Sequence, residues 1–420
     1  MTVEICRLDN GLRVVTDDMP DVRSATVGVW VDVGARDETA ELNGISHLLE
    51  HMAFKGTQRR SATAIAEEIE AVGGHLNAYT SREHTAYHAR VLAGDVPLAV
   101  DLLADILRNS AFNPADVERE VQVVRQEIAQ VEDTPDDLIF DLFQEAAYPD
   151  QAFGRSILGT VASLERFDSQ TLRRHLEHEY RPERMVLAAA GALDHAAVVA
   201  LATQAFGTMP GAAPGGGRSK PRYHGGERRE VRDLEQLHLV LGFKSPGARD
   251  PAFYATQVLS TALGGGMSSR LFQEVRERRG LAYAIHSFAI GYVDCGLFGI
   301  YAGCDAGNAE AVLGIVCDEM MAVAGRVGAD ELGRAKAQLR AGLLMALESS
   351  SARAEQLARH LLVFDRVIPV DEIVARIDAV EPGDVEAAAR AIGRGDNLTF
   401  AFVGPADALR TRDDLARRLG

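Results

Sequence analysis

Long apolar runs, paired cysteines and an excess of positive charge are all missing from this sequence. No apolar run approaches the roughly 20 residues that a bilayer-spanning helix needs, so we expect no membrane insertion. The first residues, MTVEICRLDNGLRVV, lack the basic region and the apolar region of a signal peptide. The formal net charge of −17 disfavours nucleic acid and anionic membranes as main partners.

The cysteine content is low as well. Cys6, Cys295, Cys304 and Cys317 show no C-x-x-C spacing and are expected to stay reduced. A reducing compartment without a targeting segment favours the bacterial cytoplasm, and the mitochondrial matrix is the alternative for a mature chain. The glycine run Gly264–Gly266 is not followed by Gly-Lys-Ser/Thr, which argues against a phosphate-binding P-loop.

An internal repeat indicates two similar halves. A length of 420 residues predicts two or three domains, and 47% hydrophobic with 25% charged residues is typical of soluble globular proteins. The segment MVLAAAGALDHA at 185–196 resembles LTFAFVGPADAL at 398–409, about 213 residues later. Residues 209–229 are rich in Gly and Pro and predict a linker. We therefore expect an α+β fold with homologous sandwich-type domains at 1–208 and 230–420, each an antiparallel-rich sheet with helices packed on it.

Hydrophobic periodicity predicts the order of the elements. Strands are predicted at 3–8, 11–16, 24–33, twice within 75–92, 185–192, 237–243, twice within 282–302, and 397–403. Helices are predicted from about 43, then at 61–72, 96–107, 116–131, 135–147, 169–180, 195–206, 252–263, 269–279, 309–323, 329–348, 352–363 and 370–380, with a short one at the end.

The most informative stretch is GISHLLEHMAFKGT at Gly44–Thr57. On a helix, His47 and His51 lie one turn apart on the same face, with Glu50 beside them. Two imidazoles and a carboxylate are what a zinc hydrolase needs as ligands and as a base for water. Their order is the reverse of the His-Glu-x-x-His motif. The alternative is an amphipathic core helix whose histidines are satisfied by hydrogen bonds.

A catalytic zinc usually has three protein ligands, so a third must come from elsewhere in the chain. The helix predicted over 116–131 carries Glu120 and Glu127, which are seven positions apart and share one face. Apolar neighbours of Glu127 predict that part of this helix is buried, and a buried carboxylate needs a cation. For most of the charged residues in this stretch, a solvated helix face is the simpler interpretation.

These residues carry a family resemblance. HLLEH followed by Glu127, 76 positions after His51, resembles the pitrilysin family of inverted zinc peptidases. HMAFKGT, LNAYTSREHTAY at 76–87 and GRSILGT at 154–160 resemble the β subunit of mitochondrial processing peptidase and its bacterial relatives. The resemblance implies a zinc metalloendopeptidase with one Zn²⁺ per chain, bound by His47, His51 and Glu127. It further implies that Glu50 is the general base and that Glu120 supports a ligand. The second half has no counterpart of the motif.

The same resemblance implies contacts to an extended, unfolded peptide. Asn77 and Ala78 match the edge strand to which such a peptide adds, and an ordinary edge strand is the alternative. Arg276 and Tyr283, in RERRGLAY, match a pair that contacts the substrate backbone and the attacked carbonyl. A charged surface helix is the alternative for this pair.

Specificity near arginine is a further expectation. Asp137 and Asp141 lie one helical turn apart. They match positions where the β subunit of the processing peptidase has acidic residues, which bind an arginine near the cleavage site. A solvated acidic helix start is the alternative interpretation.

In the family, four such units surround a chamber, so a chain with two units implies a dimer. A homodimer would combine the zinc site of one chain with Arg276 and Tyr283 of the other. A heterodimer with an inactive paralogue is the alternative. Two further functions stay open, a presequence-type processing peptidase and a non-catalytic core subunit of a respiratory complex.

Overall fold

Helices and strands alternate along the chain in two similar series. The computed structural model describes residues 2–211, 218–405 and 409–420. The strands are β1 (Thr2–Arg7), β2 (Arg13–Asp18), β3 (Ser24–Val31), β4 (His75–Thr80), β5 (Thr85–Leu92), β6 (Met185–Gly191), β7 (Gly226–Val231), β8 (Leu237–Ser245), β9 (Ala282–Gly291), β10 (Gly296–Cys304) and β11 (Leu398–Gly404).

The helices of the first series precede β7. They are α1 (Ile45–Ala53), α2 (Ala62–Ala71), α3 (Val96–Arg108), α4 (Pro114–Glu132), α5 (Pro135–Ala147), α6 (Val161–Leu164), α7 (Ser169–Glu179) and α8 (His195–Phe206). Those of the second series are α9 (Phe253–Gly264), α10 (Ala309–Gly325), α11 (Ala329–Ala346), α12 (Ser350–Phe364), α13 (Val370–Asp378), α14 (Pro382–Ile392) and α15 (Arg412–Leu419). Among the described residues, none of these helices is long and apolar enough to span a bilayer.

The first compact unit comprises residues up to Ile128, Arg155–Arg218 and Met345–Val367. Its sheet has the order β1-β2-β6-β3-β5-β4, with β2 and β6 parallel and the other pairs antiparallel. Side chains alternate across this sheet, so Val27 and Val29 join a core with α1 and α3, while Trp30 faces α12. The predicted alternation of β3 therefore reflects two buried faces.

The second unit comprises Ala129–Gly154, Ser219–Leu344 and Ile368–Gly420. Its sheet has the order β7-β11-β8-β10-β9, with β7 and β11 parallel and the other pairs antiparallel. This repeats the order of the first sheet from β2 to β4. The prediction of an α+β fold with two similar halves is confirmed.

The two units exchange one helix each. α5 belongs to the first series in the chain but packs on β11 and β8 of the second unit, with Ile139 and Phe143 in that core. α12 occupies the equivalent place in the second series but packs on β6 and β3 of the first unit, with Leu357 and Leu361 buried. The compact units therefore do not follow the chain linearly, although the predicted boundaries of the homologous halves stay a prediction.

Four elements differ from the sequence-based expectations, one of which is the short helix α6, which was not predicted. The end of the predicted linker, from Gly226, already belongs to β7, whose charged and exposed side chains give no strand pattern. Helix α14, which was not predicted, begins with Pro382, a residue favoured in the first helical turn. The helix predicted at 269–279 contains a π-helical segment, Phe272–Glu277. Residues 212–217 of the linker and 406–408 of the repeat lie outside the described residues.

Candidate metal centre

The motif helix α1 begins at a glycine that no other residue could easily replace. Gly44 has φ 92°, in the left-handed region, and a Cβ there would lie 2.7 Å from the Leu158 carbonyl oxygen. The chain can therefore turn sharply into α1 while the loop at Leu158–Gly159 lies directly against it. This packing fixes the start of the helix that carries the candidate ligands.

A buried carboxylate caps this helix. Glu38 accepts hydrogen bonds from the backbone N–H of Gly44 at 2.8 Å and of Ser46 at 2.9 Å, and from the Asn43 side chain at 3.1 Å. These donors are among those that a helix N-terminus leaves unsatisfied. Burial raises the pKa of Glu38 above its usual value, against the effect of these hydrogen bonds. This contact could not be predicted from the sequence, because Glu38 lies outside the helix and matches no capping motif.

Three side chains of the first unit lie close together. His47 and His51 have ring centroids 4.7 Å apart. Glu127, on α4, places Oε2 3.7 Å from His47 Nε2 and Oε1 3.6 Å from His51 Nε2. One ligand atom from each of the three residues lies within 4.8 Å of the others. No other such group occurs among the described residues.

The residues present fit a tetrahedral divalent metal better than they fit a hydrogen-bonded core. The 3.6 and 3.7 Å separations exceed a hydrogen bond but approach the roughly 3.3 Å between ligands that both lie about 2.0 Å from zinc. His47 Nδ1 is buried and has no hydrogen-bond partner among the described residues. Burial, followed by the neighbouring His51, lowers the pKa of His47 to about 4. Its imidazole is therefore neutral near pH 7, as metal binding requires.

Glu120 lies behind the histidine pair. Its Oε2 is 3.2 Å from His51 Nδ1, and its Oε1 is 2.8 Å from Lys55 Nζ. The Glu120 side chain is buried, so Lys55 supplies the cation that compensates its charge. Lys55 was not predicted as part of the site, although it lies in the HMAFKGT segment one turn after His51.

Glu50 lies on α1 and contacts the end of the edge strand. Its Oε2 accepts a hydrogen bond of 2.7 Å from the Thr80 hydroxyl. Burial raises the pKa of Glu50, and the hydrogen bond from Thr80 opposes that shift. A carboxylate with a raised pKa is better matched to proton transfer near neutral pH. The sequence did not indicate this contact, although Thr80 lies within the LNAYTSREHTAY segment.

Strand β4 carries the two residues expected to bind a peptide backbone. It forms one end of the first sheet and pairs only with β5 among the described strands. The Ala78 N–H donates to the Asn77 side-chain oxygen at 2.8 Å. Both residues lie on a strand whose second edge is not paired with any described strand, which is the requirement for addition of another strand.

Arg276 and Tyr283 lie together in the second unit. The Arg276 guanidinium lies 4.8 Å from the Phe272 ring centroid and 4.9 Å from that of Tyr283. Tyr283 is 75% exposed despite its size. Arg276 belongs to the π-helical segment, a conformation found frequently at functional sites. The family resemblance pointed to this pair, its role at the substrate stays a prediction, and the contact with Phe272 was not anticipated.

Asp137 and Asp141 lie on α5, in the second unit. Asp137 is exposed and belongs to the first turn of the helix, where a negative charge is favourable. Asp141 is half-buried. Their positions are compatible with the acidic helix start that the sequence left open, and their role in specificity stays a prediction.

Comparison with known proteins identifies relatives along nearly the whole chain. The insulinase model of peptidase family M16 matches residues 13–161, and the model of the M16 inactive domain matches residues 166–339. An uncharacterised zinc protease of Streptomyces coelicolor is 44% identical over 96% of this chain and 90% of its own length. Relatives with the same description are 43% identical in Mycobacterium tuberculosis, over 91% of this chain and 89% of theirs, and 37% identical in Bacillus subtilis, over 94% and 97%.

A solved structure shows the same fold. The crystal structure of a protease from Helicobacter pylori matches with a TM-score of 0.90 and covers 96% of this chain and 99% of its own. The two sequences are 23% identical, so this similarity supports the fold alone.

Proposed function

Since this chain belongs to the insulinase family of peptidases, family M16, we propose that it is an endopeptidase that cleaves extended, unfolded peptides. It is a zinc metallopeptidase, because relatives that match it over almost their whole length are named zinc proteases. The observation that carries the finer proposal is the convergence of His47, His51 and Glu127, with ligand atoms within 4.8 Å of one another. We assign these three residues as the zinc ligands.

The donor set explains what the site can do. A zinc ion held there would supply Lewis-acid chemistry, which polarises a carbonyl and makes water a stronger acid. Two neutral imidazoles and one carboxylate leave such a site with net positive charge. Glu120 orients His51, because its carboxylate accepts from Nδ1–H and so leaves the Nε2 lone pair directed towards Glu127.

Glu50 acts as the general base in this proposal. It is adjacent to His51 in the chain and lies on the same helix as both histidines. One of its oxygens is occupied by the Thr80 hydroxyl, which leaves the other to take a proton from water and return it to the leaving amine. Burial raises the pKa of Glu50, which makes the carboxylate a stronger base.

The substrate contacts rest on shape and exposure. A peptide that adds to β4 beside Asn77 and Ala78 is held through its backbone, which favours extended chains and demands little of their sequence. Arg276 and Tyr283 provide exposed donors suited to a carbonyl oxygen. Asp137 and Asp141 would favour cleavage sites near arginine through carboxylate–guanidinium pairing.

Assembly and location are part of the proposal. We propose a homodimer, with a heterodimer containing an inactive paralogue as the alternative. The matched relatives are bacterial, which favours a bacterial cytoplasmic enzyme over one of the mitochondrial matrix. A presequence-type processing peptidase stays the second candidate, since the resemblance to its β subunit is strongest around the motif. The intact set of metal-binding residues weighs against a non-catalytic respiratory subunit.

The decisive experiment uses Glu50→Gln in the purified full chain. We expect this variant to retain one zinc per chain by elemental analysis and to lose cleavage of an unfolded peptide. Parent enzyme treated with a chelator should lose activity and regain it with added zinc. Full activity in Glu50→Gln would contradict the assignment of the base. Mass measurement of the active species then distinguishes a homodimer from a chain that requires a second protein.

A further inference from the structure

Strand β4 and helix α1 are joined by one hydrogen bond between side chains with different tasks. Thr80 is the last residue of β4, and Glu50 lies near the end of α1. The Thr80 hydroxyl lies 2.7 Å from Glu50 Oε2 and 3.5 Å from the Ser46 carbonyl oxygen. A hydroxyl has one hydrogen to donate, and the shorter contact to a charged acceptor is the stronger one. The Thr80 hydroxyl therefore donates its hydrogen bond to Glu50.

This contact restricts a side chain that would otherwise be free to rotate. A glutamate has three rotatable side-chain bonds and loses considerable entropy when it is held in one arrangement. Thr80 itself is β-branched and stiff, so its hydroxyl direction is fixed by the strand. A rigid donor therefore selects one orientation of the Glu50 carboxylate and directs Oε2 towards β4.

The strand does not depend on this hydrogen bond for its own position. The neighbouring Tyr79 points to the opposite face, as alternation requires. Its hydroxyl contacts Glu355 Oε1 and His84 Nε2, both at 3.0 Å. Six residues of β4 also pair with β5. Loss of the Thr80 hydroxyl should therefore leave the strand in place and release only the carboxylate.

The same strand is the one to which a peptide is proposed to add. Ala78 precedes Thr80 by two residues, so both side chains lie on the α1 face of the sheet. Backbone contacts of a peptide beside Ala78 and the contact to Glu50 thus share one rigid segment. Any displacement of β4 relative to α1 would alter both the position of the peptide and the orientation of the Glu50 carboxylate.

We propose that Thr80 is a positioning residue that holds the Glu50 carboxylate in register with a peptide bound on β4. The inference rests on the proposed function, in which Glu50 is the base and β4 the binding strand. Thr80 contributes to turnover and not to zinc binding or peptide affinity, because it contacts neither the ligands nor the free edge of the strand.

The test replaces the hydroxyl with a methyl group of similar shape, in Thr80→Val. We expect kcat to fall by about 10-fold to 100-fold, which is the usual cost of a misplaced catalytic group, with KM unchanged. Zinc content should stay at one per chain. Thr80→Ser, which keeps the hydroxyl, should restore most of kcat.

Thr85→Val is the matched control. Thr85 lies directly opposite Thr80 in the β4–β5 register, and its hydroxyl donates to the Val33 carbonyl oxygen at 2.9 Å. Its loss removes a buried hydrogen bond of the same kind without touching Glu50. We expect a lower melting temperature and an unchanged kcat.

A binding measurement separates the base from the strand. The affinity of a fluorescent unfolded peptide should be equal for Glu50→Gln and for Glu50→Gln/Thr80→Val. An unchanged kcat in Thr80→Val, or weaker peptide binding in the double variant, would overturn the inference. Activity in Glu50→Gln would instead overturn the proposed function, so the two failures are distinguishable.

Discussion

Removal of the Glu120 carboxylate should weaken zinc binding without affecting the fold of α4. Glu120 is 6% exposed, and its two oxygens contact different partners, His51 Nδ1 at 3.2 Å and Lys55 Nζ at 2.8 Å. In Glu120→Ala, nothing keeps the proton of His51 on Nδ1, so the competing tautomer with a protonated Nε2 becomes populated. That tautomer cannot bind a metal through the nitrogen that lies 3.6 Å from Glu127.

The magnitude follows from the role of such supporting groups. Loss of a carboxylate that orients a metal-binding histidine costs about 10-fold to 100-fold in metal affinity. This corresponds to roughly 1.4 to 2.8 kcal/mol. The zinc dissociation constant can be measured by competition with a chromophoric chelator, with the metal-free melting temperature as a check on folding. Glu120→Gln should fall between the parent and Glu120→Ala, since its amide oxygen can still accept a hydrogen bond.

The control for this experiment lies on the same helix. Glu118 is exposed and two positions away, so its side chain points to a different face. Glu118→Ala should bind zinc as the parent does. If Glu120→Ala and Glu118→Ala had equal zinc affinities, the argument that Glu120 orients His51 would be refuted.

Three further predictions concern stability and substrate contacts. Glu38→Ala removes the acceptor of three donors at the start of α1 and should lower the free energy of unfolding by about 2 kcal/mol in denaturant titrations of the metal-free chain. Burial lowers the pKa of His84 to about 3, whereas an unfolded histidine titrates near 6.5. The free energy of unfolding should therefore be unaffected by His84 above about pH 6.5 and should fall as the pH drops towards 3, because only the unfolded chain then binds the proton. Unfolding of His84→Gln should therefore depend less on pH over that range, and an equal dependence would contradict the assignment. Arg276→Lys keeps the charge but loses the flat contact with Phe272 and Tyr283. It should lower kcat/KM for peptides with unchanged zinc content, and an unaltered kcat/KM would remove Arg276 from the substrate site.

The local features of the site could be predicted from the sequence because they depend on helical geometry alone. His47 and His51 share a face at a spacing of four, and Glu120 and Glu127 do so at a spacing of seven. The place of Glu127 among apolar neighbours indicated that α4 is partly buried. The spacing did not bring α1 and α4 together, and the pairing of these helices came from the family resemblance.

Contacts between side chains that lie on different elements could not be predicted from the sequence in the same way. Glu38 caps α1 from outside the helix, Lys55 compensates Glu120 from the segment that follows α1, and Thr80 contacts Glu50 from a strand. Each contact depends on how closely two elements approach, which periodicity does not encode. The π-helical turn at Phe272–Glu277 was missed for a related reason. Its backbone hydrogen bonds span five residues where those of an α-helix span four, and the side-chain pattern of so short a segment does not reveal the difference.

The sequence by itself determined that this protein has two similar α+β halves and that one of them carries a zinc motif. Those properties follow from the repeat and from residue spacing within single elements. The tertiary structure alone decided that α5 and α12 are exchanged between the units, because an amphipathic pattern predicts that a helix has a buried face but not which sheet buries it. It also decided which oxygen of Glu50 is occupied and which face of His51 is supported, because a hydrogen bond requires two groups to approach within about 3 Å, which only the assembled fold provides.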